Sequence, residues 1–165
     1  MRNPHVPLRL LPGGRRGSVY RDVRPKAVSS FATSLRGLSE SVIVDLGNQP
    51  SPFAKSFLRE ADVVLIVVEP EVVGVELTRQ FLDRLRETGI LSHRIRVVIS
   101  NHHGSVQLNR TEVANALQME VAAVILYQRD DFSAASKKRL PIVIHQPQAP
   151  VVAQFSELAH AVSAV

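Results

Sequence analysis

The sequence lacks cysteine and tryptophan and is poor in aromatic residues, which make up 5% of its 165 residues. The absence of cysteine excludes disulfide scaffolds, thiolate metal sites and cysteine nucleophiles. With so few aromatic side chains, the core must be built mainly from Val, Leu, Ile and Ala. No apolar run approaches the roughly 20 residues that a membrane-spanning helix needs. Residues 1–11 contain no continuous apolar stretch, so we do not expect a secretory signal peptide.

The overall composition, with 45% apolar and 21% charged residues, is typical of one folded domain. Its net charge of +5 is uneven, because residues 1–40 carry +6 and the remaining residues carry −1. We interpret 1–26 as a basic N-terminal arm or loop and 27–165 as the domain. A basic arm can contact nucleic acid or acidic lipid, but such an arm is more often a solvated, partly disordered segment, so nucleic acid is not the expected partner.

Short apolar runs rich in β-branched residues predict four buried strands, over 41–47, 62–68, 94–100 and 121–126. Apolar residues at helical spacing predict helices over 27–38, 71–87, 111–117, 132–138 and 150–165. The helix over 71–87 is expected to bury Val72, Val73, Leu77, Phe81 and Leu85. Gly89 is expected to end that helix, and Asn109 to cap the next one. The alternation of strands and helices predicts an α/β fold with a mainly parallel sheet and flanking helices.

Ligands of open parallel sheets bind at the carboxyl ends of the strands, so the residues that follow each predicted strand are candidate site residues. Asp45 and Gly47 follow the first strand and Asn101 follows the third. The segment 127–129 follows the fourth. Asp45 has two interpretations: a carboxylate that holds the water shell of Mg²⁺ in a nucleotide triphosphatase, or an Asp that caps a turn.

Three segments in this order resemble the ParA/MinD family of deviant-Walker P-loop ATPases: VIVDLG at 42–47, ADVVLIVVEPE at 61–71 and VVISN at 97–101. The spacing is most similar to the pilus-assembly (CpaE-like) and septum-positioning branches. The resemblance spans 27–165, which corresponds to the C-terminal portion of such an ATPase. It implies a P-loop NTPase fold that is incomplete at its N-terminal side.

The resemblance also implies roles for the strand-end residues, with ATP and Mg²⁺ as cofactors. Asp45 stands where the family has the aspartate near Mg²⁺, and Gly47 where it has the small residue of the switch loop. Asn101 stands where the family has the asparagine that reads the adenine edge, since a side-chain amide both donates and accepts hydrogen bonds. Its alternative is a loop residue that tolerates left-handed geometry. Tyr127, Gln128 and Arg129 match the loop that flanks the base.

One departure from the family bears directly on activity. The sequence has no K-G-G-x-G-K-[ST] loop, whose backbone N–H groups and lysines hold the phosphates. Its only glycine-rich candidate, 12–18, lacks both lysines and is interpreted as a connecting loop. The family's usual Pro at the fourth strand end is replaced by Leu126.

We therefore expect weak or no ATP binding and no hydrolysis by the chain alone. The chain is interpreted as a truncated or degenerate MinD/ParA-like ATPase domain related to pilus assembly or to cell-pole or septum positioning. The alternative is a non-catalytic pseudo-ATPase module that binds other proteins. Expected partners are a second copy or a full-length ATPase homologue, and pilus or membrane-associated machinery, with a cytoplasmic location that is peripheral to the membrane through those partners.

Three other charged or metal-binding patterns have simpler interpretations. His102 and His103 are read as a polar loop and not as a metal site, because adjacent histidines point in different directions. Asp130 and Asp131 are expected to begin a helix, and the basic run 137–139 to end it. A receiver-like domain with Asp45 as phosphoacceptor is disfavoured, because the sequence lacks the further acidic pair and the strand-end Lys that it needs.

Overall fold

The computed structural model describes residues 2–3, 6–11, 25–48, 51–102 and 107–163. The chain divides into two compact units, Met1–Ala61 and Asp62–Val165. The glycine-rich candidate at 12–18, His103, and the last two residues of the predicted terminal helix lie outside the described residues.

The first unit contains a short antiparallel pair of strands and two helices. Strands β1 (Arg2–Asn3) and β2 (Val6–Arg9) pair with each other. Helices α1 (Pro25–Arg36) and α2 (Pro52–Glu60) pack together. Their small core is Val28, Ala32 and Phe57. The helix predicted over 27–38 is thus confirmed as α1, whereas β1, β2 and α2 were not predicted.

The strand predicted over 41–47 is wrong for this structure. The segment has no regular secondary structure, and Ile43 is 95% exposed. Val42 and Val44 are also exposed. A strand is stabilised by its neighbours in a sheet, and no described strand pairs with this segment. Asp45 therefore does not follow a strand of the described sheet.

The second unit is an α/β sandwich built on a parallel three-stranded sheet in the order β3-β4-β5. The strands are β3 (Val64–Val68), β4 (Ile95–Ser100) and β5 (Val121–Ile125). In register, Val64 lies beside Ile95 and Val97 lies beside Val121. These strands, and the mixed α/β fold with a parallel sheet, confirm the sequence prediction.

Five helices of this unit flank the sheet, with a 3₁₀ turn at Ser92–Arg94 before β4. They are α3 (Val72–Glu87), α4 (Arg110–Leu117), α5 (Arg129–Lys137), α6 (Ile142–His145) and α7 (Pro150–Ser163). Helix α7 packs on β5 and β4, where Val98, Ala123 and Val151 are buried in one cluster. None of the helices in the described ranges is long and apolar enough to cross a membrane.

The predicted helix ends are largely confirmed, but of the five residues expected on the buried face of α3 only Leu85 is buried. Gly89 follows α3 with φ +82°, as expected of a residue that ends a helix, and Asn109 caps α4. In α3, however, the buried residues are Val75, Leu82 and Leu85. The expected face included three residues that are 60% exposed or more, namely Val72, Val73 and Leu77. The helix therefore carries two groups of apolar residues. The one with Val75, Leu82 and Leu85 is buried, and the one with Val72, Val73 and Leu77 is exposed.

Candidate functional site

A groove of about 440 Å³ opens at the carboxyl ends of β4 and β5, within the second unit. Its floor is formed by Leu65 and Val67, which α7 leaves exposed, and by Val98, which is buried against α7. Strand alternation turns Leu65 and Val67 to the groove while their neighbours Val64, Ile66 and Val68 are buried. Two residues of α7, Phe155 and Leu158, complete an apolar wall.

The rim of the groove brings together four predicted site residues. Asn101, Tyr127, Gln128 and Arg129 all line it. Asn101 is buried at 8% exposure, and its backbone N–H donates to the carbonyl of Ile125 at 3.0 Å. This hydrogen bond joins the ends of β4 and β5, so the strand-end residues of both strands meet at one edge of the sheet.

Aromatic side chains also line the groove. They include Tyr127, which is 41% exposed, and Phe132 of α5. Phe132 in turn meets Phe155 edge to face, with ring centroids 6.3 Å apart. Phe132, Phe155 and Leu158 were not among the predicted site residues. Their helical spacing predicted packing, but it gave no sign that they would line a groove.

Gln128 makes a contact that its predicted role did not include. Its side-chain Oε1 accepts a hydrogen bond from the backbone N–H of Val151, at the start of α7, at 3.3 Å. In the other direction, Gln154 of α7 accepts from the backbone N–H of Leu126 at 2.8 Å through its own Oε1. The segment 126–128 is therefore attached to α7 by two side chains.

Asp45 and Gly47 belong to the first unit, and the groove belongs to the second. The backbone N–H of Gly47 donates to Asp45 Oδ1 at 2.9 Å, and Gly47 has φ +64°. This is the turn-capping geometry that was one of the two interpretations of Asp45. The role of Asp45 beside Mg²⁺ and that of Gly47 in a switch loop stay predictions.

The carboxyl end of β3 is held by the segment that precedes α4. The Pro70 carbonyl accepts from the backbone N–H groups of Gln107 and Leu108 at 3.2 and 3.1 Å. The side chain of Gln107 accepts from the N–H of Val72, which is the first residue of α3, at 3.2 Å. Gln107 thus stabilises the start of that helix, a role that no sequence pattern indicated.

The remaining polar candidates form no metal site in the parts of the chain that the structure describes. His102 Nε2 lies 3.2 Å from Ser100 Oγ, and His93 is in the 3₁₀ turn. Asp130 and Asp131 are in the first turn of α5, as expected of acidic residues that begin a helix.

The lining of the groove is mainly aromatic and aliphatic, and Asn101 is a buried polar side chain among it. A lining of this kind suits a flat, weakly charged group better than a phosphate. Arg129 is the one permanent cation among the lining residues, whereas a triphosphate in P-loop proteins is held by lysines and backbone N–H groups.

No family model matches the chain, and no curated protein does. Solved structures do match it. A ParA family ATPase from Chlorobium tepidum TLS gives a TM-score of 0.73 at 16% identity, over 84% of this chain and 57% of that one. The cell division ATPase MinD from Pyrococcus furiosus gives 0.70 at 18%, over 84% and 58%. The septum site-determining protein MinD from Pyrococcus horikoshii OT3, complexed with Mg-ADP, gives 0.70 at 17%, over 85% and 57%.

These similarities show that the chain has a ParA/MinD-like fold. At 16–18% identity the likeness concerns the fold alone. The chain spans less than three fifths of the length of the structures that it matches.

Proposed function

We propose that the chain is a MinD/ParA-like domain whose groove binds the adenine base of a nucleotide. The observation that supports this most is that Asn101 and Tyr127 both line the same largely apolar groove. A side-chain amide can donate and accept hydrogen bonds, and an aromatic ring offers the flat contact that a purine needs.

Hydrolysis by this chain alone is not part of the proposal. The sequence contains no K-G-G-x-G-K-[ST] stretch. Among the residues that line the groove, Arg129 is the one arginine, and there is no lysine. Phosphates would therefore add little binding energy, and adenosine should bind almost as well as ATP. Independently of the groove, we propose that Asp45 is a carboxylate able to hold the water shell of Mg²⁺, with Gly47 in the adjacent loop.

Calorimetric titration with adenosine, guanosine and Mg·ATP tests the base site. We expect adenosine and Mg·ATP to bind within about tenfold of each other, and guanosine to bind more weakly than either. The change Asn101→Asp keeps the size of the side chain but replaces an amide donor, and should weaken adenosine binding by about tenfold. Asn115→Asp, on the exposed side of α4, is the matched control and should leave affinity unchanged. Equal binding of adenosine and guanosine, or none of either, would contradict the proposal.

A pseudo-ATPase module that binds other proteins is the second candidate. It is supported by apolar residues left exposed on two elements of the second unit, Leu65 and Val67 on β3 and Val72, Val73 and Leu77 on α3. The expected partner is a second copy or a full-length ATPase homologue. A role in pilus assembly or in cell-pole or septum positioning, through membrane-associated machinery, is the biological setting that we propose for either candidate.

A further inference from the structure

Two glutamines connect the rim of the groove to α7 in opposite directions. Gln128 reaches from the rim to the N–H of Val151, and Gln154 reaches from α7 to the N–H of Leu126. Leu126 and Gln128 are the two neighbours of Tyr127 in sequence. The backbone on both sides of Tyr127 is therefore attached to the same helix.

Each of these hydrogen bonds satisfies a donor that its own secondary structure leaves without a partner. Val151 follows Pro150 in the first turn of α7, where N–H groups have no partner within the helix. Leu126 follows the last residue of β5, where the ladder of the sheet has ended. The bond from Val151 to Gln128 is partly buried, so water competes less for it, whereas the bond from Leu126 to Gln154 is exposed.

The helix that holds the rim also forms the wall of the groove. Phe155 lines the groove and is the residue after Gln154, and Leu158 lies on the same helix. A ligand that touches Tyr127 and Phe155 would therefore contact two groups whose relative position depends on the glutamine pair.

We propose that Gln128 and Gln154 are positioning residues, which hold Tyr127 at the rim and keep the segment 126–128 and α7 in one arrangement for the ligand. The effect on ligand affinity depends on the proposed base site, whereas the effect on the rim itself does not. This difference allows the two proposals to fail separately.

Removal of one acceptor tests the pair. Gln154→Leu keeps the approximate size of the side chain but cannot accept from Leu126, whereas Gln154→Glu retains an acceptor. We expect Gln154→Leu to raise the amide exchange rate of Leu126 by about tenfold, the loss expected of one hydrogen bond. The amide of Val97, in the centre of β4, is the internal control. Gln128→Leu should act in the same way on the amide of Val151.

A second measurement follows the position of Tyr127. The chain has no tryptophan and two tyrosines, so a Tyr20→Phe background leaves Tyr127 as the source of fluorescence. Gln154→Leu should increase the quenching of this fluorescence by iodide, and Gln154→Glu should keep it near the starting value. In the same background, Gln154→Leu should weaken adenosine binding by about tenfold, with recovery in Gln154→Glu.

The outcomes separate the proposals. Unchanged exchange of Leu126 and unchanged quenching in Gln154→Leu would overturn the positioning role, and so would equal losses in the Leu and Glu variants. Faster exchange with undiminished adenosine affinity would overturn the link to the ligand. If the unsubstituted chain binds no adenosine, the proposed base site fails, while exchange and quenching still decide the positioning role. Thermal melts followed by circular dichroism confirm that each variant is folded, and Gln128→Leu replaces Gln154→Leu should the latter not fold.

Discussion

Asp45 and Gly47 show how a short turn limits what a carboxylate can do. Asp45 Oδ1 accepts from the N–H of Gly47 at 2.9 Å, so one of its two oxygens is already engaged. A role beside Mg²⁺ would use the other oxygen or would require the turn to open. Gly47 has φ +64°, a conformation that other L-residues adopt only at a cost.

At the same residue scale, Gly47→Ala should destabilise the chain. A Cβ at this position would meet nothing within 4 Å, so the cost comes from the backbone alone and should be about 1 kcal/mol in urea unfolding. Gly37→Ala is the matched control, because an added Cβ there meets its nearest atom at an ordinary 3.5 Å and no positive φ is involved. Equal effects of the two changes would contradict this account of the turn.

Glu76 gives a prediction about pH. Hydrogen bonds from Arg79, at 2.9 and 2.8 Å, and from Gln80 lower the pKa of Glu76 to about 2 from an ordinary value of 4.5. Because the folded state has the lower pKa, the stabilisation is complete above pH 4.5 and is lost as pH falls towards 2. An NMR titration of the Glu76 carboxyl carbon should show this low midpoint.

Arg79→Gln supplies the control for that titration. Without the guanidinium, the pKa of Glu76 should return towards 4.5, and 1 M salt should move the pKa of the unsubstituted chain in the same direction. A midpoint near 4.5 in the unsubstituted chain would show that the ion pair on this exposed helix face does not persist in solution.

At the scale of elements, local sequence patterns predicted the strands of the second unit and the residues at their ends. The β-branched runs of β3, β4 and β5 are strands, and Asn101 and Tyr127 stand at their ends because a parallel sheet gathers its carboxyl ends at one edge. The segment 41–47 has the same composition, yet it is not a strand, because pairing is decided by distant segments. Helix α2 was missed although Ser51 and Pro52 form an ordinary helix start.

The faces of elements were harder to predict than their existence. Helix α3 has apolar residues on two adjacent stripes, and composition alone does not say which stripe meets the sheet. The groove shows the same limit, because Phe155 is distant in sequence from Tyr127 and reaches it only through the packing of α7 on β5. Sequence reasoning therefore found the rim of the groove and missed its wall.

The start of α4 yields a prediction at this scale. Asn109 Oδ1 accepts from the N–H groups of Thr111 and Glu112 at 2.9 and 3.1 Å, and Glu112 accepts from the N–H of Asn109 at 2.7 Å. Asn109→Ala removes the first half of this reciprocal cap and should lower the free energy of unfolding by about 1 kcal/mol. Asn115→Ala, on the exposed side of the same helix, should be neutral or slightly stabilising. If both variants lowered the free energy of unfolding equally, the loss could not be attributed to the cap at Asn109.

At the scale of the whole molecule, the described sheet of the second unit has three strands, which is few for a parallel α/β fold. Strand β3 lies at the edge of the described sheet, and its five residues include neither a charge nor a proline to discourage pairing. Leu65 and Val67 on its open face are 39% and 60% exposed. By contrast, the ends of β5 are contacted by the side chains of Arg110 and Gln154. For the second candidate, the protein-binding module, the edge and face of β3 are therefore the surface that we propose for a second copy, in place of a ligand in the groove.

Val67→Lys tests that expectation directly. A lysine on the open face of β3 would place a charge against any strand or helix that covers it, so it should suppress association without unfolding the chain. In sedimentation velocity, the unsubstituted chain should gain mass with concentration and the variant should remain a monomer. Val73→Lys makes the same change at a residue that is 69% exposed on α3, and should associate as the unsubstituted chain does. Loss of association in Val73→Lys but not in Val67→Lys would move the contact from β3 to the exposed stripe of α3.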